Sequence, residues 1–215
     1  MSQQSRYNLA DVENYFTQKL REHGATPQGL DFNSEESQII RFQQFARALD
    51  FSRPFTLIDY GCGYGALAKY LTDLKLPLKS YTGYDISRTI LDAAALPHDL
   101  ERKLTASRDM IGQADFTVAS GIFNVKLGSS ERDWRNIILD DLQVIARSAR
   151  RGFAFNMLTS YSDQEKMRDD LYYGDPCWFF DYCKKTFGPN VVLFHDYGLY
   201  DWTMAVRLDR ITGPD

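Results

Sequence analysis

Thr56-Leu57-Ile58-Asp59-Tyr60-Gly61-Cys62-Gly63-Tyr64-Gly65 decides the reading of this chain. The residues up to Tyr60 read as a short buried strand, and the glycines that follow at every second position read as a sharp turn. Glycine tolerates such a turn and leaves room for a ligand against the main chain. The helix expected from about Ala66 would aim free N–H groups and the positive end of its dipole at that ligand. Asp59 adds a carboxylate to the same crevice. A strand that runs into a glycine turn and then a helix is the context of a nucleotide-type site.

Outward from this stretch, strands and helices alternate. Expected strands are Phe55 to Tyr60, Ser80 to Tyr84, Lys103 to Ala106, Asp115 to Ser120, Gly152 to Asn156, Val191 to His195 and Trp202 to Leu208. Expected helices run from Ala66 to Leu74, from Ser87 to about Ala95, from Glu131 to Arg150 and from Cys177 to Phe187. Such alternation predicts a parallel α/β sheet with helices on both faces. The last two strands are separated only by Asp196 to Asp201, too short for a helical crossover, so they should pair antiparallel. The expectation is therefore a seven-stranded, mostly parallel sheet with an antiparallel last strand. Residues 8–23 and a helix capped by Ser34 precede it, giving a division into an N-terminal helical lid (1–50) and a main unit (51–215).

Composition narrows the function classes. A net charge of −4 argues against a broad phosphate-binding face. The polar start is no signal peptide and no run is apolar enough for a membrane span, so a cytoplasmic protein is expected. Cys62, Cys177 and Cys183 show no paired spacing and form no zinc pattern with the scattered histidines, so no metal site is expected.

A second acid sharpens the ligand. Asp85 ends the second strand, twenty residues after Gly65, where a carboxylate can accept hydrogen bonds from a ribose diol. The turn reads Gly-x-Gly-x-Gly, not the Gly-x-Gly-x-x-Gly of a dinucleotide site. Asp59-Tyr60-Gly61-Cys62-Gly63-Tyr64-Gly65, with Asp85, resembles motif I and the second-strand acid of the class I S-adenosylmethionine-dependent methyltransferases. The resemblance spans roughly residues 40 to 208 in organisation. It implies that Gly61, Cys62 and Gly63 lie against the methionine part of the cofactor and that Asp59 orients its ammonium group. It further implies that Asp85 holds the ribose, that Ile86, Asp109 and Met110 contact the adenine, and that Ser120 and Gly121 form the floor near the sulfonium. Arg41 matches the place where several small-molecule members pair an arginine with the cofactor carboxylate.

The tail of the fourth strand is Ser120-Gly121-Ile122-Phe123-Asn124, not the Asn/Asp-Pro-Pro-aromatic sequence of base-amino methyltransferases. Pro176-Cys177 falls after the fifth strand, away from where a cytosine-methylating cysteine would stand. A nucleic-acid substrate is thus disfavoured and a small-molecule acceptor, methylated at O or N, preferred. His195, at the end of the sixth strand, is a candidate base. Tyr7, Tyr15, Phe16 and Phe32 are candidates for a lid over the cofactor. A nicotinamide-dependent oxidoreductase and a non-catalytic protein of the same fold remain alternatives.

Overall fold

A computed structural model describes residues 3–208, with side chains from residue 9; the Tyr7 side chain and residues 209–215 of the expected main unit lie outside the described residues. The elements in chain order are α1 (Gln3–His23), α2 (Glu35–Ala48), β1 (Phe55–Tyr60), α3 (Ala66–Asp73), β2 (Leu78–Tyr84), α4 (Arg88–Asp92), β3 (Glu101–Thr105), β4 (Ala114–Ala119), α5 (Glu131–Ser148), β5 (Ala149–Leu158), α6 (Pro176–Thr186), β6 (Val191–Phe194) and β7 (Asp201–Arg207). A short 3-10 turn, Pro27–Leu30, joins α1 to α2.

The seven strands form one sheet in the order β3-β2-β1-β4-β5-β7-β6. β1 pairs parallel with both β2 and β4, so the chain reverses its direction of winding between them. That reversal opens a crevice at the carboxyl ends of β1 and β4, the place where open α/β sheets bind ligands. β7 runs antiparallel between β5 and β6, as the short connection requires.

Alternation along the strands supplies both cores. Phe153, Phe155, Met204 and Val206 face one side, where Trp134, Ile138, Leu142 and Ile145 of α5 and Phe179 and Cys183 of α6 cover them. Leu57, Phe116, Val118, Ala154 and Ala205 face the other, under Phe42 and Phe45 of α2 and Leu67 and Leu71 of α3.

Local chemistry sets the boundaries. Ser34 caps α2 by accepting the Ser37 N–H at 3.1 Å, and the Ser37 hydroxyl accepts the Ser34 N–H at 3.3 Å. Most strand and helix ends fall within two residues of expectation, and three differences have a clear cause or consequence. α4 stops at Asp92, well short of Ala95. α5 stops at Ser148 because Ala149 pairs with Ala114 and begins β5. β3 starts at Glu101 and has only one buried residue, Thr105, so its sequence carries no apolar alternation. No helix among the described residues is long and apolar enough to cross a membrane.

Candidate active site

The glycine turn is built as its sequence requires. Gly61, Gly63 and Gly65 have φ of 83°, 54° and 87°. The N–H groups of Gly61 and Cys62 donate to the Tyr84 carbonyl at 2.6 and 2.8 Å, which fastens the turn to the end of β2. A Cβ at Gly61 would come within 2.1 Å of Ile122 Cγ2, and one at Gly63 within 2.4 Å of Leu30 Cδ1. Both positions therefore need glycine for conformation and for space.

Asp85 stands across from the turn. Its Oδ2 accepts the Gly63 N–H at 3.0 Å and its Oδ1 accepts the Ser87 N–H at 2.9 Å. Burial pushes its carboxyl up to about 6, against the pull of the Ser87 and Gly63 N–H groups. A carboxylate offers about four lone-pair sites, so each oxygen can still accept one more donor.

A cavity with about 850 Å³ of empty space, mouth included, opens at this point. Gly61, Gly63, Asp85, Ile86, Ser120 and Gly121 line it from the sheet side. Leu9, Val12 and Phe16 of α1, with Leu30 and Phe32 beyond it, close it from the other. α1 is tied down by a 2.8 Å hydrogen bond between the Thr17 and Ser87 hydroxyls. Ser87 meanwhile caps α4 by accepting the Ile90 N–H at 3.3 Å.

The far end of the cavity holds a polar group that the sequence reading missed. Tyr60 donates to Asp141 Oδ1 at 2.8 Å, and Arg108 forms an ion pair with the same carboxylate. Tyr60, Arg108 and Asp141 all line the cavity. The signal was present, since Asp141 follows Trp134 by seven residues on the inward stripe of α5.

A second cavity shares Phe16, Leu30, Phe32 and Gly121 with the first. Its remaining lining includes Asp31, Asn33, Arg41, Asn124 and Arg168.

Several expected site residues lie elsewhere. Asp59 is 2% exposed and turned to the opposite side, where the Tyr81 hydroxyl donates to it at 2.7 Å; it is not among the cavity residues. Burial pushes its carboxyl up to about 7, with Asp85 adding to the rise and Tyr81 opposing it. The Cys62 side chain is buried in the core beneath α3, so only its backbone belongs to the turn. Asp109 and Met110 lie on an exposed turn, and their neighbour Arg108 is the residue that reaches the cavity. Arg41 lines the second cavity, where it is paired with Asp201. His195 is exposed beside Tyr161, at the end of the edge strand β6. That strand is four places from β1, or roughly 19 Å at sheet spacing, so the fold keeps His195 out of the crevice. Cys177 is exposed near the start of α6, whose N-cap is Asp175.

The chain is 47% identical over 163 residues to "Putative methyltransferase Rv1506c" of Mycobacterium tuberculosis (strain ATCC 25618 / H37Rv), covering 75% of this chain and 98% of that protein. The chain belongs to the class I S-adenosylmethionine-dependent methyltransferases. No family profile matches the sequence. Solved methyltransferases share the fold at low identity. Human N-acetylserotonin methyltransferase, in complex with S-adenosylmethionine, superposes with a TM-score of 0.62 at 15% identity, over 91% of this chain and 56% of its own. Magnesium protoporphyrin IX methyltransferase of Synechocystis PCC 6803, with bound S-adenosylhomocysteine, gives 0.57 at 12%, over 81% and 84%. Membership of this methyltransferase family sets the nicotinamide-dependent alternative aside.

Proposed function

We propose that this methyltransferase binds S-adenosylmethionine in the first cavity and transfers its methyl group to O or N of a small-molecule acceptor held in the second. The observation that carries the reading is the Asp85 carboxylate, fixed by the Gly63 N–H at 3.0 Å while it lines the cavity. The pieces fit the cofactor. Gly61 and Gly63 bring main chain into the cavity lining, where it can meet an amino-acid tail, and Asp85 keeps lone pairs for a ribose diol. Ile86 would pack on the adenine, with Ser120 and Gly121 near the sulfonium.

The bound cofactor supplies an activated methyl group, so the protein's part is placement and exclusion of water. The apolar side chains of α1 and the 27–33 segment wall both cavities, which supports a lid role for residues 1–50. The small dimensions of the second cavity and the net charge of −4 support a small acceptor over a nucleic acid.

Titration calorimetry with S-adenosylhomocysteine tests the assignment. Saturable binding is expected, and none to NAD. Absence of S-adenosylhomocysteine binding to the folded protein would overturn it.

A further inference from the structure

The second cavity carries chemistry of its own, and the inference below rests on the methyltransferase reading of the first. Its empty space is about 560 Å³, open mouth included. Every charged side chain in its lining already has an opposite partner. Arg41 pairs with buried Asp201, Arg168 holds Asp170 through Nε at 2.9 Å and Nη2 at 2.5 Å, and Lys19 lies 3.0 Å from Asp31. Of these pairs only Arg41–Asp201 is sealed, and a ligand with a formal charge that upset it would leave a buried charge without its partner, which is costly.

What the pairs leave is hydrogen-bonding capacity. The Arg41 Nε has no hydrogen-bond partner, but it is itself buried and is reached only if the side chain shifts. The Arg41 guanidinium lies over the Phe32 ring at 5.1 Å from the centroid, and with Nη1 donating to the Ser37 carbonyl at 2.8 Å its plane is fixed. Asn33 and Asn124 add two amides to the lining, and Phe16 and Phe32 add apolar faces. Uncharged donors and acceptors beside aromatic faces suit a ring with hydroxyls on its edge and C–H bonds on its face.

Asp31 stands out among the lining residues. It has φ 60° and ψ 24°, left-handed geometry uncommon outside glycine. The Tyr15 hydroxyl donates to its Oδ2 at 2.9 Å and Lys19 faces its Oδ1, so α1 fixes the carboxylate in the wall. Those two donors leave lone pairs for a third. We propose that the second cavity takes a neutral, polyhydroxylated acceptor of the sugar class, and that Asp31 receives the proton of the hydroxyl that is methylated. The acceptor's O–H bond breaks and its proton passes to the Asp31 carboxylate. The oxygen forms the new O–CH₃ bond, and the pair of the broken S–CH₃ bond stays on sulfur as the neutral thioether.

The test uses the full chain and a fixed panel: the methyl glycosides of glucose, galactose, mannose and rhamnose, with glucuronate and glucosamine as charged counterparts. Saturation-transfer NMR on the protein loaded with S-adenosylhomocysteine reads binding, and transfer of labelled methyl from S-adenosylmethionine reads turnover. A neutral glycoside should bind and give a methyl ether stable to mild alkali. Asp31→Asn retains a residue that tolerates left-handed geometry. It should keep KM within about 3-fold and lose at least about 100-fold in kcat, the range of a positioned general base. The proposal is overturned if no neutral glycoside binds, if only a charged counterpart is methylated, or if Asp31→Asn keeps its kcat. Failure of S-adenosylhomocysteine itself to bind would instead overturn the cofactor assignment on which this rests.

Discussion

Asp85 accepts the main-chain N–H of Gly63 at 3.0 Å, and this bond, beside those from Gly61 and Cys62 to the Tyr84 carbonyl, joins the two loops that frame the crevice. It crosses from the end of β2 to the turn after β1. The carboxylate is thus both a strut and a ligand-facing group, since it also lines the first cavity. Substitutions there should report on structure and binding together, and a graded pair separates them.

Asp85→Asn keeps the shape, removes the charge and replaces one acceptor oxygen by an NH₂, so one of the Gly63 and Ser87 N–H groups loses its partner. Loss of two charge-assisted hydrogen bonds to the ribose, at about 1.5 kcal/mol each, predicts roughly 100-fold weaker binding of S-adenosylhomocysteine. Asp85→Ala also strands the Gly63 and Ser87 N–H groups and should lower stability by a further 1–3 kcal/mol or so. Calorimetry and denaturant melts on both variants check the two effects independently.

The same carboxylate predicts a pH dependence. Burial raises Asp85 to about 6, and a ribose diol donates to the ionised form. Affinity for S-adenosylhomocysteine should therefore fall as pH drops through 6, about tenfold between pH 7 and 5. Stability should move the other way. Asp59 and Asp85, raised to about 7 and about 6, bind more protons in the folded chain than in the unfolded one across roughly pH 4–7. Stability contributed by these two groups accordingly declines as pH rises through that window. Affinity that is flat from pH 5 to 7 would remove Asp85 from the ribose site.

Gly63→Ala tests the packing of the turn. The residue has φ 54°, and a Cβ would lie 2.4 Å from Leu30 Cδ1. The Leu30 side chain can yield, so the expected loss is moderate, about 1–3 kcal/mol, from left-handed strain and a displaced wall. S-adenosylhomocysteine affinity should drop with it. An unchanged melting temperature and isotherm would show that neither the strain nor the Leu30 contact matters.

The sheet was legible because its signals are local. Apolar alternation, the glycine turn and the six-residue gap before β7 each point to one arrangement, and β1 falls at Phe55–Tyr60 as read. Asp85, Ile86, Ser120 and Gly121 reached the cavity because each ends a strand whose position the pattern fixed. The misses lie where direction, not position, decides. Asp59 and Tyr60 are adjacent, yet strand pleating sends Asp59 to Tyr81 and Tyr60 into the cavity. Asp141, Asp31 and Asn33 come from helix and turn surfaces whose approach to the crevice is a tertiary fact. His195 read as a candidate because its strand end is on the carboxyl edge, but sheet order put that strand outermost.

Arg41 and Asp201 form an ion pair between α2 and the start of β7. The pair is nearly sealed, with side chains 9% and 0% exposed. Arg41→Ala would leave the Asp201 carboxylate buried without its cation, a loss of about 3–5 kcal/mol at neutral pH. Burial already raises the Asp201 carboxyl, with Arg41 opposing the rise, so the variant should take up a proton more readily. Its stability deficit should therefore be larger at pH 8 than at pH 5. Arg41→Met combined with Asp201→Leu removes both charges and should recover most of the loss. If Arg41→Ala instead melts like the parent at pH 8, the ion pair contributes nothing to the fold. Its role would then have to lie with whatever occupies the second cavity.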